Sequence, residues 1–73
     1  MNADTVKEQW PQIRELARLW WSVLTNDDLD KIDGRLDRLI SQLQDKYGFT
    51  QDQAARDIQD RLAELQRLQA VRH

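Results

Sequence analysis

Apolar residues recur at spacings of three and four along almost the whole chain, and that pattern points it toward α-helix. Val6, Trp10, Ile13, Ala17, Trp20 or Trp21, and Leu24 form a first series. Leu29, Ile32, Leu36, Leu39, Ile40, Leu43 and Tyr47 form a second, and Ala54, Ile58, Leu62, Leu65 and Leu68 a third. Nothing alternates with period two over a useful length, so no strand is predicted. Three amphipathic helices bury their stripes best against one another. The expected fold is all-α, a single domain over residues 1–73 built as a small bundle of three main helices. A fourth arises if the chain breaks at Pro11 or Gly34, and residues 69–73 are expected to fray.

The element ends have chemical causes. Thr25 offers an N-cap, with Asp27 and Asp28 beside the positive end of the helix dipole. Thr50 and Gln53 stand at capping-box spacing, and Thr5 with Glu8 fits the same pattern as the start of a short first turn. Gly48 after Tyr47 reads as a helix end, because glycine accepts the left-handed conformation at little cost. Pro11 disfavours helical geometry at Trp10 and removes a backbone donor, so a kink or restart is expected there. Gly34 is ambiguous. It costs a helix interior about 1 kcal/mol relative to Ala. The stripe keeps its phase from Ile32 to Leu36, which favours a continuous or gently bent helix, with a break between a short helix and a longer one almost equally open.

A chain of 73 residues has room for one domain and only a modest core. Its 40% apolar and 33% charged residues suit a folded helical protein, and three Trp supply large buried areas. The absence of Cys excludes disulfides, thiolate chemistry and Cys-based zinc sites. The first residues lack the basic and apolar regions of a secretory signal, and no apolar run approaches the roughly 20 residues of a membrane span. Cytoplasm is the expected location. The net charge of −2 comes with mixed signs and no basic stripe, so nucleic acid is not expected as a partner.

The residues that invite chemistry have plainer readings. Asp27, Asp28, Asp30 and Asp33 suggest calcium, but counting from Asp28 puts Ile32 at the fifth EF-hand position and Asp33 where the loop needs Gly. Capping and a solvated face account for them better. His73, the only histidine, stands last and is poorly placed for acid–base work. Ser22 and Ser41 have no His to activate them, and there is no Gly-rich phosphate loop. No catalytic, metal or cofactor site is expected. Asp27 with Lys31, Asp52 with Arg56 and Asp57 with Arg61 are read as i,i+4 surface pairs.

The first helix carries more apolar surface than one stripe needs. Leu16, Leu19, Trp20 and Val23 extend it around one side. Packing against both other helices explains a broad face, and a partner surface made of these four residues is the functional alternative.

Asn2, Asp4, Trp10, Gln12, Trp21, the run from Leu24 to Leu29, Gly34, Asp37, Leu39, Leu43-Gln44, Tyr47-Gly48 and Gln53-Ala54 share one further property. In order and spacing, from about residue 2 to residue 60, they resemble the CsbD-like bacterial stress-response family. The resemblance implies a small helical bundle of the bacterial cytoplasm, associated with general stress and without a defined mechanism. Pro11, Leu19, Trp20 and Ser22 depart from the pattern. A non-enzymatic module acting on an unknown protein partner or as a weak homodimer is therefore expected. The alternative is a peripheral membrane-surface protein, with Leu19, Trp20 and Trp21 entering the headgroup layer; the acidic balance weighs against it.

Overall fold

The computed structural model describes the backbone of residues 3–71 and the side chains of residues 3–68. Five helices follow in order: α1 (Ala3–Glu8), α2 (Trp10–Trp20), α3 (Asn26–Ile32), α4 (Leu36–Tyr47) and α5 (Gln51–Val71). The count exceeds the expected three or four because the chain breaks at both ambiguous points. The fray expected over residues 69–73 lies outside the described side chains, and α5 carries its backbone to Val71.

At the first break, Gln9 separates α1 from α2 and Pro11 occupies the first turn of α2. Proline suits that turn, where its missing N–H would have no intrahelical acceptor. The Gln9 N–H still bonds to the Thr5 carbonyl at 3.0 Å, and the Gln9 carbonyl accepts from Ile13 at 2.9 Å. The result is a kinked pair of helices. Thr5 lies inside α1, so its expected capping role is wrong: the helix begins two residues earlier, at Ala3.

At the second break the favoured reading, a continuous helix through Gly34, is also wrong. Asp33 (φ 49°) and Gly34 (φ 79°) both turn left-handed, and α4 restarts at Leu36. Tertiary packing overrides the stripe's phase here, for Gly34 is buried against Lys7 and Trp10. Arg38 closes the outside of the elbow by donating to the Lys31 carbonyl at 2.9 Å.

The other boundaries fall where their chemistry puts them. Thr25 and Asp28 form a reciprocal capping box on α3, and Thr50 and Gln53 form another on α5. Gly48, at φ 71°, ends α4.

The three stripes point inward, apart from the exposed Leu68 at the end of the third and Tyr47 at the end of the second. Val6, Trp10, Ile13, Ala17, Trp21, Leu24, Leu29, Ile32, Leu39, Leu43, Ala54, Ile58, Leu62 and Leu65 make one buried core. α4 sits at its centre, packed against α5, α3 and α1, while α1 also packs on α2. Leu36 and Ile40 are half-buried at its edge, and Tyr47 leaves the core to stack on Phe49, ring centres 5.2 Å apart. The radius of gyration, 11.7 Å, is near the roughly 11 Å expected of a packed chain this long.

Candidate interaction surface

α2 divides its side chains by helical geometry. Trp10, Ile13 and Ala17 face the core. The helix stops at Trp20, and Trp21 takes the C-cap position, its N–H bonded to the Ala17 carbonyl at 2.7 Å. That change of backbone direction lets Trp21 turn inward. It is 2% exposed, and its indole Nε1–H donates to Asp57 Oδ2 on α5 at 2.5 Å. Trp20 meets it edge-on, ring centres 5.6 Å apart.

The four residues of the expected partner surface lie together but differ in exposure. Leu16 and Trp20 are half-buried and pack on the core edge. Leu19 is 78% exposed and Val23 44%. The C-terminal residues that could cover them include Leu65 and Leu68, of which Leu65 is buried in the core and Leu68 is itself 56% exposed. Val71, the third residue that cover would involve, has its side chain outside the described residues. A strip therefore runs from Leu16 through Leu19 to Val23, flanked by the exposed Glu15 and Ser22.

The aspartates of the α3 segment are put to separate uses. Thr25 N–H donates to Asp28 Oδ2 at 3.0 Å, and Asp28 N–H donates to Thr25 Oγ1 at 3.1 Å. Lys46 Nζ lies 3.6 Å from the same carboxylate. Asp30 pairs with Arg14 of α2 at 2.6 Å, and Asp33 caps the C-terminus of α3. Among the described residues no group of three His, Cys, Asp or Glu converges as a metal site would require. Of the three expected i,i+4 pairs only Asp57 with Arg61 comes within ion-pair distance, at 3.9 Å. The closer pairs, Arg14–Asp30 and Asp28–Lys46, join different helices, which spacing along the chain does not announce.

The Thr25 backbone N–H holds the Asp28 carboxyl below its ordinary pKa. Burial pulls the other way, and the Thr25 side chain and the Lys46 charge add to the lowering. Asp28 thus binds its proton less readily folded than unfolded. The stability it contributes is complete above the ordinary aspartate value of about 3.9 and fades as pH falls through the lower folded value. The urea midpoint of Asp28→Asn should therefore sit below wild type at neutral pH, and the gap should close under acid. A gap independent of pH contradicts this account of the cap.

No family model and no solved structure matches the chain. Curated relatives do. A UPF0337 protein of Pseudomonas aeruginosa is 35% identical over 60 residues, covering 82% of this chain and 92% of its own length. The UPF0337 protein YjbJ of Escherichia coli K12 is 35% identical over the same share of this chain and 87% of its own. A UPF0337 protein of Bordetella pertussis is 37% identical, over 82% and 91%. These are small proteins that this chain spans almost from end to end. The chain belongs to their family, the CsbD-like or UPF0337 family. Among the described residues no helix is long and apolar enough to cross a membrane.

Proposed function

We propose that this chain is a non-enzymatic, stress-associated protein of the bacterial cytoplasm that works through protein–protein contact, its first partner being a second copy of itself. The observation that carries the reading is the exposure of Leu19 and Val23 beside half-buried Leu16 and Trp20, on the helix where this chain departs from the family pattern. Family membership supports the link to stress. The lack of Cys and of an activated Ser supports a role without catalysis.

In an isologous dimer the strip on each copy meets its equal. Two exposed side chains fall far short of the roughly 800 Å² per partner that a stable interface buries. At about 25 cal/mol per Å² they offset the entropy of association only modestly. The expected species is a weak, rapidly exchanging dimer. Sedimentation over a concentration series should show it at high micromolar protein and lose it on dilution, and Leu19→Glu/Val23→Glu should abolish it. A monomeric profile up to millimolar protein overturns the reading. The membrane alternative loses one of its three anchor residues, because Trp21 is buried and hydrogen-bonded inward. Co-sedimentation with anionic vesicles would revive it.

A further inference from the structure

We infer that the α3–α4 elbow is a hinge, and that its straightening lets two copies of this chain exchange helices into a domain-swapped dimer. The inference does not depend on the Leu19 surface. It stands on a conflict between the stripe and the backbone that joins its two halves. At 100° per residue Leu29, Ile32, Leu36, Leu39 and Leu43 fall within an arc of about 80° on a single straight helix. A stripe interrupted by a true loop has no reason to keep that phase. One helix from Asn26 to Tyr47, about 33 Å long at 1.5 Å per residue, would present the same apolar residues in one line.

The bend that prevents this combines two left-handed residues with the packing of Gly34 on Lys7 and Trp10. Asp33 carries a Cβ in the left-handed region, at φ 49° and ψ 40°, which glycine adopts freely and Asp at a modest cost. Gly34 follows at φ 79°, with Trp10 Cβ and Cγ 3.4 Å from the place a Cβ would occupy. That spacing is ordinary contact, so conformation, more than space, is what demands glycine there. In the straight helix Gly34 would lie about 180° from the centre of the stripe, facing away from the core, where a Cβ is welcome. The elbow therefore needs Gly34, while the straight form is weakened by it.

Straightening carries α4 and α5 away from α1, α2 and α3 of their own chain. It separates Trp21 from Asp57 and Asp28 from Lys46, and exposes the core between the two halves. A second copy in the same state restores every one of those contacts across chains. Short hinges under strain favour such exchange. A swapped dimer buries the existing core, so unlike contact through Leu19 it would be slow to dissociate.

The test uses the full chain, unfolded and refolded at millimolar concentration, then sized by light scattering on a column. Gly34→Ala should give a dimer fraction severalfold above wild type, persisting after dilution, with helical circular dichroism increased. Asp33→Gly relaxes the elbow and weakens the straight helix, so it should refold as monomer. Leu19→Glu/Val23→Glu should leave the Gly34→Ala dimer intact, which separates it from association through α2. Gly34→Ala refolding to a monomer alone overturns the hinge. Should that variant fail to fold, wild type refolded at millimolar concentration must still hold more persistent dimer than Asp33→Gly, and equal amounts overturn the hinge as well.

Discussion

Replacing Leu39 with Ala should cost about 2–5 kcal/mol of stability, since the side chain is fully buried on the helix that the others surround. A domain of this length has only about 4–11 kcal/mol in total. The loss is a large share of it, and at about 4–8 °C per kcal/mol the melting temperature should drop by roughly 10 °C or more. Leu43, Ile58 and Leu62 are buried in the same core and should behave alike. Thermal and urea unfolding followed by circular dichroism check this. A Leu39→Ala variant melting within a degree or two of wild type would mean that α4 is not the centre of the bundle.

Trp21 should be as sensitive, for two separable reasons. Its ring is buried against Trp20 and the core, so Trp21→Ala should cost about 3–5 kcal/mol. Its indole N–H also fastens the end of α2 to α5 through Asp57. Trp21→Phe keeps most of the apolar area and removes that bond. A hydrogen bond to a charged group contributes about 1.5–3 kcal/mol, so the Phe variant should fall between wild type and Ala. Urea midpoints of the three proteins decide it. If Phe matches wild type, Asp57 does not help to fix α2, and burial alone holds Trp21.

How much of this was legible in the sequence depended on the range of the forces involved. Spacing alone identified most of the buried face of each stripe, Tyr47 and Leu68 excepted, because a stripe at three and four has one inward side whatever the neighbours are. Thr25, Thr50 and Gly48 were readable for the same local reason: each satisfies or terminates backbone groups within a few residues of itself. Gly34 was not. Local phase argued for a straight helix, and the elbow forms where Gly34 packs on Trp10, far away in the chain. Thr5 had the spacing of a capping box, but α1 begins at Ala3 and places it mid-helix.

The candidate surface was legible as a group and not in its parts. An overly broad apolar face on the first helix marked Leu16, Leu19, Trp20 and Val23 together. Which of two adjacent tryptophans turns inward depended on where α2 ends and on Asp57, a partner 36 positions away. The bonds from Arg14 to Asp30 and from Lys46 to Asp28 likewise needed the fold before they could be seen.

The claim that α2 presents a contact surface is tested most directly by amide chemical shifts recorded from dilute to millimolar protein. Concentration-dependent shifts should gather on residues 15 to 24, centred on Leu19 and Val23, and vanish in Leu19→Glu/Val23→Glu. Spectra that do not change with concentration, or changes centred on another helix, would contradict it.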